Sequence, residues 1–189
     1  MVAFWDFRAG SRAKQSFDGM QAQVSVDESS LELIELYTEH AMVLARVSPE
    51  GRRLSDMLNS NSTLALRDAR SISLTNGTRE TDGTGWSSVM TEDILFVMPP
   101  EHRSPRQMRV HRRQHRVRIH TGPFLVTGTA HILPGTKLDP YVLRARTRFL
   151  ALTDAYASSM ADPAWERSAA VVLVNVRPIA DLTEVTTLS

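Results

Sequence analysis

The chain reads as mainly β, with two related small β-barrel-like repeats packed together, short helical turns and an N-terminal arm. Three observations predict this. Short apolar runs rich in Val, Ile, Leu and Phe recur between Gly, Pro and Asn turn signals. The alternation of strand and helix that marks a parallel sheet is absent. Four segments of the first half are answered, in the same order, by four segments of the second. With 189 residues, 42% of them hydrophobic, the chain has enough apolar surface for a packed core.

Residues 1–30 form the arm, with Phe4, Trp5, Phe7 and Phe17 scattered among Arg, Lys, Gly and Ser. Its apolar start is broken by Asp6 and its positive charges follow the apolar run, which does not fit a secretory signal. No apolar stretch approaches the roughly 20 residues of a membrane-spanning helix. The expected location is the cytoplasm, with no membrane partner.

The first repeat spans 31–101. LELIELYT and AMVLARV make a hairpin about Glu39-His40, Pro49-Glu50-Gly51 is a turn, and Arg53 to Asn59 makes a helical turn or two with Ser55 as its N-cap. Thr63 to Ala69 is a strand that Ser71 to Leu74 prolongs. Thr75 to Trp86 is a polar loop, and the apolar run Ile94 to Met98 is a central strand stopped by Pro99-Pro100.

Residues 102–116 connect the halves, and 117–189 form the second repeat. Val117 to Gly128 makes a hairpin about Gly122-Pro123, answering the hairpin about Glu39-His40. Pro134 to Asp139 answers Glu50 to Ser55. Phe149 to Ala155 answers Thr63 to Ala69 through a shared Leu-Ala-Leu-x-Asp-Ala frame, and Val171 to Asn175 answers Ile94 to Met98. Gly51, Asp68, Gly135 and Asp154 therefore recur at equivalent places. Recurrence in both copies predicts structural roles, with Asp at a strand end accepting turn amides and Gly supplying an unusual backbone angle.

The pattern of hairpin, Gly turn, apolar strand ending in Asp-Ala and late apolar strand resembles the small barrels of the Sm-like and SH3-like class. Leu64 to Ala69 and Leu150 to Ala155 carry the likeness. The resemblance implies a topology but not an RNA site. Asn59 and Asn61 match the Sm RNA-contacting pattern only approximately, the second copy has Arg146 to Phe149 there, and neither late strand has Arg-Gly. The run Arg53 to Asn59 also resembles the Arg-Leu-Ser-Asp-x-Leu-Asn marker of an uncharacterised bacterial domain family, which implies no particular activity.

Charge is the most specific chemical signal. His102 to His120 holds seven arginines and four histidines with no acid and no lysine, so it carries +7 with neutral histidines. The net charge of the chain is +1, which leaves −6 for the rest. Arg103, Arg106, Arg109, Arg112, Arg113, Arg116 and Arg118 form a candidate surface for nucleic-acid phosphates or for an acidic protein partner. On a strand, Arg112, Arg116 and Arg118 share one face while Val117 and Ile119 share the other. The strip lacks aromatic residues on which single-stranded bases would stack.

His111 and His115 stand four apart, which on a helix would pair them as metal ligands. On a strand they would stand roughly 13 Å apart. The arginines between and beside them repel a cation, so no metal is expected. With no cysteine, thiolate sites and disulfides are excluded. Gly-x-Ser-x-Gly, Walker-type and dinucleotide motifs are missing, so no cofactor and no enzymatic activity is expected. The leading expectation is a non-catalytic interaction or scaffold protein that self-associates. Nucleic-acid binding through residues 103–118 comes second, and a small-molecule sensor with a pocket between the repeats third.

Overall fold

Alternating burial along the apolar runs turns most of them into strands. The computed structural model describes residues 3–4, 30–75, 77–100, 113–135, 138–139 and 147–185. Apart from residues 3, 4 and 30, the N-terminal arm lies outside the described residues, and so does the connecting segment from Glu101 to Arg112. The protein is mainly β, with one α-helix among the described residues. Its elements fall into two units, Met1–Ile94 and Leu95–Ser189.

The first unit contains β1 (Ala3–Phe4), β2 (Glu32–Tyr37), β3 (Ala41–Val47), α1 (Leu54–Ser60), β4 (Thr63–Ser73), β5 (Arg79–Asp82) and β6 (Trp86–Met90). Its strands run in the order β1-β6-β4-β3-β2, with β5 also on β4. β1 is parallel to β6; the other pairings described in this unit are antiparallel. The β2–β3 hairpin turns about Glu39-His40, closed by the Thr38 N–H donating to the Ala41 carbonyl. Ile34, Leu36, Val43, Ala45 and Val47 are buried from alternate positions, and Leu54, Met57 and Leu58 from one face of α1.

The second unit contains β7 (Phe96–Met98), β8 (Arg113–Thr121), β9 (Phe124–Ile132), β10 (Phe149–Ser159), β11 (Glu166–Asn175) and β12 (Ile179–Glu184), in the antiparallel order β7-β11-β10-β9-β8-β12. The β8–β9 hairpin turns on Gly122, whose φ is +53°. Phe124 anchors the core, edge-on to Phe96 at 5.1 Å and tilted against Trp165 at 5.2 Å. Among the described strands neither order closes on itself, so the sheet is open.

Several local expectations change. Ser55 lies inside α1, and the N-cap is Arg53, which makes no side-chain cap bond. The preceding turn, in which the Arg52 N–H donates to the Pro49 carbonyl, delivers the chain so that Leu54 is buried in the first helical turn. The stretch Thr75 to Trp86 contains β5. Of Ile94 to Met98, only Phe96–Met98 is strand. The segment lying on β4 as Val171 to Asn175 lies on β10 is Trp86–Met90: Thr63 faces Met90 and Arg67 faces Trp86, as Phe149 faces Asn175 and Thr153 faces Val171.

The main feature of both units is a bulge in their longest strand. β4 and β10 are each 11 residues long. Asp68 and Asp154 stand inside them, not at their ends, in the left-handed region with φ of +52° and +47°. On β4, Arg67 faces Arg46 and Arg70 faces Leu44. On β10, Thr153 faces Thr129 and Tyr156 faces Thr127. Each strand thus holds one extra residue against its partner, the definition of a bulge.

The extra residue resets which side chains point inward. Before it, Leu64 and Leu66 are buried on β4 and Leu152 on β10; after it, Ser71 and Ser73 are buried on β4, and Ala155 and Ala157 on β10. Odd and even positions have exchanged faces, as a one-residue slip requires. Asp is one of the few residues with a Cβ that enters the left-handed region at modest cost. Asp68 is held there by two exchanged bonds: its N–H donates to the Gly85 carbonyl, and the Gly85 N–H donates to its Oδ1 at 2.9 Å.

Opposite the second bulge, β9 carries Gly128. A Cβ placed there would stand 2.8 Å from Leu152 Cβ and 3.2 Å from Ala155 Cβ, which flank the bulge. Gly128→Ala is therefore expected to destabilise the protein by about 1–3 kcal/mol through overpacking, read as a lowered urea midpoint. Asp68→Ala is expected to cost about 1–3 kcal/mol by the same measurement, from left-handed strain and the lost acceptor. Asp68→Asn, which tolerates the conformation and keeps an oxygen, should retain most of that stability.

Candidate functional site

β8 carries the described part of the arginine strip. Val117, Ile119 and Thr121 are fully buried, which fixes the strand's inner face. Gln114, Arg116, Arg118 and His120 take the alternate positions and so the outer face. Cross-strand register places Arg116 opposite Thr129, Arg118 opposite Thr127 and His120 opposite Leu125 on β9. Arg113 and Arg118 are exposed and Arg116 is half-buried. Arg113 stands at the strand's first position, on the side of His115 and Val117 by alternation. Arg103, Arg106, Arg109 and Arg112 lie outside the described residues, as does His111.

The guanidinium of Arg116 reaches across β9 to the bulge. Its Nη1 donates to the Asp154 backbone carbonyl at 2.8 Å and to Thr129 Oγ1 at 3.4 Å. Both acceptors are neutral. Elsewhere arginines meet acids, Arg52 with Glu50 at 3.5 Å and Arg67 with Asp68 at 3.7 Å. Arg113, Arg116 and Arg118 make no ion pair among the described residues.

Neighbouring polar side chains are largely engaged with one another. His115 Nδ1 meets Glu184 Oε1 at 2.7 Å, joining β8 to β12. His131 Nε2 meets Thr153 Oγ1 at 2.8 Å, and His120 Nε2 meets the Gly122 carbonyl at 3.1 Å. A shallow, open cleft beside the bulge is lined by Arg116, Asp154, Tyr156 and Ser168 among others. The Tyr156 hydroxyl bonds to Glu166, and this bond, with burial and the nearby negative charge, pushes its pKa above the usual 10.0. Among the described residues, no group of three or more His, Asp or Glu side chains is placed to hold a metal ion.

The four recurring turn residues divide into two kinds. Gly51 and Gly135 have φ of +75° and +80° with open space where a Cβ would stand, so only their backbone angle asks for glycine. Asp68 and Asp154 are the bulge residues. Sequence reasoning missed Gly128, whose role depends on a strand 24 residues further along, and it missed Glu184, whose pairing with His115 depends on the β8–β12 register. The position of His131, alternating with buried Ala130 and Ile132, was the one available signal for an outward imidazole.

No protein-family model matches the chain, and neither a curated protein nor a solved structure matches it.

Because the folded pKa of Tyr156 lies above its unfolded value, its contribution to stability is intact below the unfolded value and is lost as pH rises through the folded one. Glu166→Gln is expected to bring the Tyr156 phenol back toward 10, measured as phenolate absorbance during alkaline titration.

Proposed function

We propose that this chain is a non-catalytic interaction protein that self-associates, built from two copies of one small β unit of the Sm-like and SH3-like kind. The duplication is supported by the paired bulges. Two strands of equal length, two left-handed aspartates and two matching register shifts stand in the same order relative to a preceding hairpin and a following strand. The strand order β12-β8-β9-β10-β11, in which β12 returns to lie beside the β8–β9 hairpin, supports the likeness to small barrels.

The observation that carries self-association is the edge of β12. Among the described strands β12 has one neighbour, β8, so its other side is a sheet edge along a strand of six residues, roughly 20 Å long. Strand addition in trans uses such an edge. Asp181 and Glu184 are exposed on it. Both edges of a β12–β12 pair would carry these acids, which disfavours that pairing, so the partner is a different strand of a second copy and the contact is head-to-tail. Sedimentation from low to high micromolar concentration should show an average mass that climbs beyond a dimer. A single-chain mass throughout that range would overturn the reading.

A further inference from the structure

We propose that the outer face of β8, β9 and β10 is a binding surface for the phosphate backbone of nucleic acid, duplex in preference to single-stranded, with Arg116 and Arg118 as its principal contacts. The proposal adds a partner to the self-association argued above and does not depend on it.

Three observations carry it. The first is the uncompensated charge. Among the described residues, the exposed Arg118 has no ion pair, and the Arg116 guanidinium bonds only to a hydroxyl and a backbone carbonyl. The positive charge of Arg116 is held in place without an ion pair among the described residues, which suits an anion site: the ordering is done before the ligand arrives. A guanidinium fixed through one nitrogen keeps its remaining donors for phosphate oxygens.

The second is the company these arginines keep. Thr127, Thr129 and Thr153 lie on the same outer face, with His120 and His131 at its margins. Hydroxyls, imidazoles and guanidinium groups are the groups that contact phosphate and sugar. Beside Arg116 lies the cleft at the bulge, lined also by Ser168, which gives a phosphate room to approach. The carboxylates on this side are accounted for. Asp181 accepts from the Thr183 hydroxyl, Glu166 is bonded to Tyr156, and Glu184 to His115; among the described residues, Asp154 in the cleft wall is the acid beside Arg116 without such a side-chain partner.

The third is position in the sequence. The eleven residues that run into β8 hold four further arginines and no acid, so the face adjoins the most basic part of the chain. Arg116 and Arg118, two residues apart on one strand face, stand roughly 6.8 Å apart along it. The face is polar: of the Phe, Tyr and Trp side chains on its described strands, Phe124 and Phe149 are buried and Tyr156 is tied to Glu166. It therefore offers neither a stacking platform for unpaired bases nor an apolar face for insertion into a bilayer.

The test is fluorescence anisotropy of a labelled duplex DNA and a labelled single strand, titrated with the full chain at about 50 mM and about 200 mM salt. The duplex should bind at the lower salt and weaken steeply at the higher. R116Q/R118Q should bind the duplex more weakly, and its plot of log affinity against log salt should be shallower by about 2. The two lost contacts together correspond to about tenfold less sensitivity across that salt range. R118Q alone, which touches neither the bulge nor the core, should lower the slope by about 1 and serves where the double variant folds poorly. No binding at the lower salt overturns the proposal. So does binding whose affinity and slope both variants leave unchanged, which would place the contact elsewhere on the chain. Tighter binding of the single strand overturns the duplex preference, and binding to vesicles containing phosphatidylserine without binding to either nucleic acid overturns the class of ligand.

Discussion

The structure depends on keeping one face of an 11-residue strand in phase with a core along its whole length. A strand of this length twists strongly, and its far half must serve a different partner or a different angle from its near half. Inserting one residue against the neighbouring strand allows the bend, but it would turn every later side chain to the wrong face unless the sequence changed phase with it. Here it does. Leu64 and Leu66 give way to Ser71 and Ser73 across Asp68, and Leu152 gives way to Ala155 and Ala157 across Asp154. On β4 the division is visible in the partners as well, because residues before the bulge face β6 and residues after it face β5.

This constraint explains why so much of the fold could be read from the chain. The shared Leu-Ala-Leu-x-Asp-Ala frame is the bulge written out: an outward alanine, a buried leucine (Leu66 or Leu152) after it, and an aspartate where the backbone turns left-handed. The two hairpins were legible for a similar reason, since a turn about Glu39-His40 or Gly122-Pro123 is bounded by alternating burial on both sides. The role of the aspartates was only half legible. Their recurrence marked them as structural, while their place inside the strand followed from pairings at a distance, such as the bond between Asp68 and Gly85.

What was less legible shares a cause. The polar stretch from Thr75 to Trp86 has no apolar alternation, yet β5 forms there because the second half of β4 has an edge for it. The apolar run Ile94 to Met98 looked like the answer to Val171 to Asn175, but the register on the long strand belongs to Trp86–Met90, a mixed segment whose Ser87 and Val89 are buried. Composition favours the more apolar segment; hydrogen-bond register decides between them. The face of the arginine strip followed from alternation alone once Val117 and Ile119 were taken as inward. Which partners its side chains would find did not, because Arg116 bonds to Thr129 and His115 to Glu184, on strands 13 and 69 residues away.

The two bulges also differ in a way that bears on function. Asp68 spends its side chain on its own unit, accepting from the Gly85 N–H with Arg67 close by, and Arg67 lies over the Trp86 ring at 5.6 Å. That bulge is closed by a loop and a cation–π contact. At Asp154 the backbone carbonyl holds Arg116 from two strands away, and a cleft opens where the first unit has its loop. On the duplication reading, both copies kept the residue that sets the phase of the core, and only one turned the surrounding surface outward. A carbonyl on a bulge whose conformation the core enforces is a rigid acceptor, so the guanidinium it holds is as well placed as the core itself. The stability of the second unit and the presentation of its positive charge therefore rest on the same residue.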